Sequence, residues 1–197
     1  LIKEGERVET ASAGENVEII LDTTSFYAEM GGEVGDTGTI FSNAGVVAEV
    51  NDTKAPEKGL VCHYATIAKG NLSVGESVTA SVDAKRRAAI TRNHTATHIL
   101  HASLRKVLGD HVTQAGSYVG PDRLRFDFTH FEALTPEQIS AIEQLANEEI
   151  MKAVSMHIYE TSLDEARASG VMALFGEKYG EKVRVVEAGE FSRELCG

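Results

Sequence analysis

The sequence has no tryptophan, only two cysteines and fewer basic than acidic residues. Two cysteines, Cys62 and Cys196, are too few for a disulfide framework and fit a reducing, cytoplasmic setting. No apolar run approaches the roughly 18 residues of a membrane span, so no membrane partner is expected. The start, Leu1 to Glu6, has no basic stretch leading into an apolar one, which excludes a visible signal peptide. It also lacks an initiator Met and reads as a piece cut from a longer chain. With 19 Lys and Arg against 30 Asp and Glu, the net charge of −11 argues against a general nucleic-acid binder and against DNA. The basic residues that exist cluster in Lys85-Arg86-Arg87 and Arg92, where they form either a solvated helix face or a local hold on an RNA end.

What remains is an ordinary globular composition, 42% hydrophobic and 25% charged, long enough at 197 residues for one large or two small domains. The first part reads as β-rich. Val17–Asp22, Val46–Val50, Leu60–Ala65 and Val78–Val82 are short strand patterns bounded by turn residues, which predicts a small glycine-rich β-barrel over 1–84. The pattern changes after Asp83. Ala84 to Leu108 contains neither Gly nor Pro and carries an apolar stripe, so a long helix is expected, closed by Gly109. Thr135-Pro136-Glu137-Gln138 and Ser162-Leu163-Asp164-Glu165 are capping boxes that open two further helices. Strand patterns at Leu124–Phe128, His157–Glu160 and Val183–Ala188 alternate with them. Residues 85–197 are therefore expected to form an α/β two-layer core, and the whole chain is α+β in class.

Several stretches can carry chemistry. His94 and His98 lie at i and i+4 of the long helix, so both imidazoles can reach one point, a common arrangement for two metal ligands. Such pairs also arise by chance. Thr95 stands where a metalloprotease needs its glutamate, which takes most of the support from the protease reading. His101 is expected to pack or cap locally. Cys196 is the best candidate for a further ligand, whereas Cys62, inside a strand, reads as packing. The segment Phe26–Gly38 holds Gly31, Gly32, Gly35 and Gly38 and matches neither a P-loop nor a dinucleotide fingerprint. It is either a barrel corner or a backbone surface a substrate can approach, with Thr24 or Glu33 as a polar contact. Gln114 and Ser117, then Asp127 in Arg125-Phe126-Asp127-Phe128, flank the helix with polar side chains. Lys178 within Gly176–Gly180 is an ordinary turn residue or a phosphate contact.

Taken in order, Phe26–Gly38, Asn93–His101, Arg125–Phe128, Phe175–Gly180 and Ser192–Gly197 resemble the editing region of alanyl-tRNA synthetases over nearly the whole chain. The resemblance implies a glycine-rich barrel followed by an editing core of the type shared by threonyl- and alanyl-tRNA synthetases. It implies hydrolysis of Ser-tRNA(Ala) and Gly-tRNA(Ala) at the 3′-terminal ester, with His94 and His98 catalytic. It also implies a zinc ion held by His94, His98 and Cys196. Substrate contacts would come from Thr24, Gly31, Gly32, Glu33, Gln114, Ser117, Asp127 and Lys178. The partners would be the acceptor end of tRNA(Ala) and the remaining domains of an ATP-binding synthetase. In the family a further histidine, the fourth zinc ligand, follows the last motif, and this chain ends at Gly197. The family's usual glutamine after the paired glycines is Glu33 here, which only accepts hydrogen bonds when ionised. A free-standing trans-editing deacylase, a metal-free tRNA-docking module and a structural zinc protein are the competing readings. A threonyl-tRNA synthetase editing domain shares the paired histidines, but Phe26–Gly38 points to the alanine system.

Overall fold

The structure, a computed structural model, describes residues 1–171 and 181–196. It divides into two compact units, Leu1–Thr91 with Gly120–Asp122, and Arg92–Val119 with Arg123–Gly197. The division falls between Thr91 and Arg92, inside the long helix, where the sequence reading put it at that helix's start, 84/85.

The first unit holds β1 (Ile2–Lys3), β2 (Glu6–Arg7), β3 (Thr10–Ser12), β4 (Asn16–Ile20), β5 (Gly38–Ser42), β6 (Val47–Glu57), β7 (Leu60–Lys69), β8 (Asn71–Ser73) and β9 (Val78–Val82). Alternation sets the buried faces. Val17 and Ile19 of β4, Ala48 and Val50 of β6, and Ala65 and Ile67 of β7 all turn into one apolar core. Among the described residues these strands make a seven-stranded antiparallel sheet in the order β2-β1-β4-β7-β6-β5-β9, and β3 pairs separately with β8. The sheet stays open, which corrects the expected barrel. Its edge strand β2 is two exposed residues, and among the described residues no pairing joins it to β9 at the other edge.

The glycine-dense segment adds no ladder either. Met30-Gly31-Gly32-Glu33 is a tight two-residue turn, with both glycines at positive φ (59° and 87°). Gly35 and Gly38 press so closely on β6 and β9 that a Cβ would meet Thr53 O at 2.1 Å and Ser81 O at 2.2 Å.

α1 (Ala84–Leu108) begins where Asp83 Oδ1 accepts from Arg86 N. It ends at Gly109, at φ 114°, where the Arg105 guanidinium donates to the Asp110 and Val112 carbonyls. The second unit continues with β10 (Gln114–Val119), β11 (Leu124–Phe128), α2 (Pro136–Met151), β12 (Met156–Ser162), α3 (Leu163–Ala168), β13 (Lys182–Ala188) and β14 (Ser192–Leu195). Thr135 and Ser162 cap α2 and α3 with reciprocal capping boxes. Leu104, Val112 and Ile142 form one core of this unit, and Ala166, Val183, Val185 and Leu195 another. The chain is thus α+β and sheet-rich. No helix among the described residues is long and apolar enough to cross a membrane.

Candidate metal centre

The three-stranded sheet β12-β13-β14 fixes where the last residues point. Val185 pairs with Leu195 and Val186 with Glu194. Leu195 enters the apolar core with Val185, so its neighbours Glu194 and Cys196 face the opposite way, towards α1. There His94, His98 and His101 present a stripe at i, i+4 and i+7. Cys196 Sγ lies 3.1 Å from His94 Nε2, and Glu194 Oε2 lies 2.6 Å from His98 Nδ1. The other Glu194 oxygen is 2.8 Å from His101 Nδ1. The ligand atoms of His94, His98 and Cys196 all fall within 4.8 Å of one another. The terminal segment therefore closes onto the paired-histidine helix.

The electrostatics follow from this packing. An ionised carboxylate only accepts, so His98 Nδ1 carries a proton facing Glu194, and Nε2, which must shed its own proton before it can ligate an ion, points to the cluster. Burial pushes His98 down, but the Cys196 sulfur and the Glu194 carboxylate override it and raise its pKa to about 9. Burial pushes the Cys196 thiol up, and the neighbouring His94 and His98 imidazoles override that too, His94 through its 3.1 Å contact, bringing it down to about 6. Burial likewise opposes ionisation of Glu194, yet His101 and His98 hold it below the usual carboxylate range. His98 Nε2 is buried with no hydrogen-bond partner among the described residues.

An orphaned imidazole nitrogen beside a readily ionised thiolate and a second imidazole fits a soft-to-borderline divalent ion. Cys62 offers no comparable site. Its thiol is pushed up to about 12 by burial and by the adjacent Glu18.

Residues 1–86 match the family of tRNA synthetases class II (A). The whole chain is 54% identical to the alanine–tRNA ligase of Acetivibrio thermocellus, covering 22% of that protein. It is 52% identical to those of Pelotomaculum thermopropionicum and Petrotoga mobilis, again over its full length and 22% of theirs. Its relatives are alanine–tRNA ligases. The chain spans about a fifth of the length of these relatives.

The other residues singled out in the sequence occupy several places. Thr24 lies in the first unit, its Oγ1 2.7 Å from Nε2 of fully buried His63. Gly31 and Gly32 form the exposed turn described above. Glu33, only 6% exposed, is in an ion pair with Arg87 at 2.6 Å, and Arg87 also holds buried Asp36. Arg86 donates to Gly35 O. Two members of the basic cluster thus fasten the glycine-dense segment, which a composition-based reading as an RNA contact did not foresee. Gln114, Ser117 and Asp127 share the β10–β11 ribbon, where Gln114 Nε2 donates to Ser117 Oγ at 3.4 Å and Asp127 pairs with Arg125. Lys178 and the rest of Gly176–Gly180 lie outside the described residues.

Sequence reasoning missed Glu194 as a functional residue. The signal was available: Glu194 and Cys196 are two apart at the end of a strand, so they share a face. His101, expected to pack or cap locally, does pack at a tilt against Phe126 with ring centres 5.0 Å apart, but it also joins the Glu194 network.

Proposed function

We propose that this chain is the editing segment of an alanine–tRNA ligase, a zinc-dependent hydrolase that cleaves the 3′-terminal ester of Ser-tRNA(Ala) and Gly-tRNA(Ala). The observation that carries the reading is the cluster of His94, His98 and Cys196 with Glu194 behind it. The similarity to alanine–tRNA ligases over the full chain supplies the substrate class. A synthetic site for alanine discriminates only about 10–200-fold against an amino acid differing by a methyl or a hydroxyl, so a separate hydrolytic site is the physical remedy.

Zinc, when bound, supplies Lewis acidity and lowers the pKa of a coordinated water from about 15.7 towards about 7. The protein's part is positioning. His94 offers Nε2, Cys196 a thiolate, and Glu194 keeps the His98 proton on Nδ1 so that its Nε2 lone pair faces the cluster. Serine is recognised by its hydroxyl. His63 Nδ1 sits 2.8 Å from Ile19 O, so that nitrogen carries the proton and Nε2 must accept. The Thr24 hydroxyl then donates to His63 and accepts from Phe26 N, which leaves one lone pair to accept from a serine hydroxyl. Gln114, Ser117, Asp127, Glu33, the Gly31-Gly32 turn and Lys178 are the further substrate contacts of this reading. The tRNA acceptor end and the remaining synthetase domains are its partners.

His94→Ala is expected to abolish hydrolysis of Ser-tRNA(Ala) while the circular dichroism spectrum stays that of the parent chain. Parental turnover by the purified variant overturns the proposal.

A further inference from the structure

Ser192, Glu194 and Cys196 share one face of the terminal segment, and α1 lies along that face. Cys196 and Glu194 meet the histidines of the metal cluster. Ser192 comes next, where a cavity of about 240 Å³ opens between the last turns of α1 and β14. Arg105 and Lys106 of α1 line it from one side, and Phe191 and Arg193 from the other. Three basic side chains thus meet around one cavity in a strongly acidic protein.

Two features of the lining point to a ligand. Ser192 is 5% exposed, and its hydroxyl has no hydrogen-bond partner among the described residues. A buried hydroxyl left unpaired costs about 1–3 kcal/mol, so it is expected to have a partner that binds there. Lys106 has no carboxylate within ion-pair reach among the described residues. Its ammonium sits 4.3 Å from the centre of the Phe191 ring, at the cavity wall. Arg193 is held in place by Glu187 at 2.7 Å, and Arg105 by Asp110 at 2.8 Å, so both guanidinium groups are fixed before any ligand arrives. Asp110 and Glu194 also line the cavity. Asp110 is engaged by Arg105, and Glu194 by His98 and His101, so neither carboxylate answers Lys106.

We infer that this cavity is a subsite for a backbone phosphate of the RNA strand, bound by the Lys106 ammonium and the Ser192 hydroxyl and flanked by Arg193. The inference rests on tRNA being the substrate, as proposed above. Its place in the fold suits that role. Four strand residues separate Ser192 from Cys196, roughly 13 Å at ~3.3 Å each. Twelve helix residues separate His94 from Lys106, about 18 Å at 1.5 Å each. At ~3.4 Å per stacked nucleotide that distance is about four to five nucleotides, fewer for an extended strand. A strand whose terminal ester reaches the metal cluster thus has a phosphate within range of Lys106.

The test uses the 197-residue chain and an uncharged RNA minihelix with a single-stranded 3′ end, read by fluorescence anisotropy across a salt series. Lys106→Gln, at an exposed position, is expected to weaken binding by about 3–10-fold and to flatten the slope of log K against log salt by about 0.7–0.9, the loss of one phosphate contact. Lys106→Arg is expected to keep the slope. Ser192→Ala is expected to weaken binding about threefold with the slope unchanged, since no charge is lost. Inorganic phosphate, compared with chloride at equal ionic strength, should compete more strongly against the parent chain than against Lys106→Gln. Unchanged affinity and slope in Lys106→Gln overturn the inference. So does a variant that loses inorganic phosphate binding but keeps its grip on the minihelix, since the site then serves free phosphate. Because the minihelix carries no ester, a failure of the editing reading shows in deacylation and a failure of this subsite shows in binding.

Discussion

Glu194 accepts a 2.6 Å hydrogen bond from His98 Nδ1 while its own carboxylate is only 2% exposed. This pairing fixes the ring and tautomer of one candidate ligand from behind. Glu194→Gln keeps the shape but replaces an acceptor-only group with one that also donates, so the His98 proton is free to move to Nε2. The expected outcome is a 10–100-fold loss of zinc affinity, measured by competition with a chromophoric chelator. Unchanged affinity means that Glu194 has no orienting role.

Zinc at a hundredfold excess over its dissociation constant is expected to stabilise the chain by about 2.7 kcal/mol. Thermal melts with zinc and with a chelator read this directly. His94→Ala and Cys196→Ser should each lose most of the difference, and Cys62→Ser should retain it.

The two thiols are expected to differ sharply in reactivity. Cys196, brought down to about 6, is mainly thiolate at pH 7.5, whereas Cys62, pushed up to about 12, is ionised to only about three parts in 10⁵. Iodoacetamide labelling of the metal-free chain, read by peptide mass spectrometry, should modify Cys196 first, with a rate that falls as pH drops through about 6. Bound zinc should protect it. Equal labelling of both cysteines contradicts the assignment.

Arg87→Ala is expected to destabilise the first unit by about 3–5 kcal/mol, because it removes the guanidinium that the buried carboxylates of Glu33 and Asp36 share. Urea denaturation measures the loss. Adding Glu33→Gln to Arg87→Ala should recover part of it, since a neutral amide is less costly to bury than a lone charge.

Burial holds His63 neutral by lowering its pKa below the ordinary 6.5, although its bond to Ile19 O works the other way. The unfolded chain therefore binds this proton at higher pH than the folded one. Full stability is expected above about pH 6.5, with a decline as pH falls from there towards the lowered folded value. His63→Gln should be less stable at pH 7 but show less of this decline between pH 6.5 and 5.5 in denaturant titrations.

The sequence was most legible where a local rule decides the outcome. The gap-free helix from Ala84 to Leu108 and the capping boxes at Thr135 and Ser162 depend on neighbours within four residues, and all three appear as read. The i, i+4 histidines showed one half of the metal cluster for the same reason. What needed long-range pairing was not legible. Alternation in β4, β6 and β7 gives their buried faces but not whether the sheet's edges meet, so the barrel expectation failed. The run Lys85-Arg86-Arg87 looked like free positive charge because its partners, Gly35, Glu33 and Asp36, stand about fifty residues earlier. The two-residue spacing puts Glu194 on the face of Cys196, but only the register of β13 with β14 turns that face towards α1.

His94 and Cys196 meet across 102 residues of sequence. Closing so long a loop is entropically expensive and slow, and contacts of this separation form after local ones during folding. The helix that carries both histidines can be complete while the thiolate and the orienting carboxylate are still absent, and two imidazoles alone grip a metal ion weakly. Strong metal capture at this centre is therefore expected only after that distant contact has formed. A chain in which β14 has not yet docked on β13 lacks the thiolate and the carboxylate at the helix, so metal affinity would report whether that strand is in place.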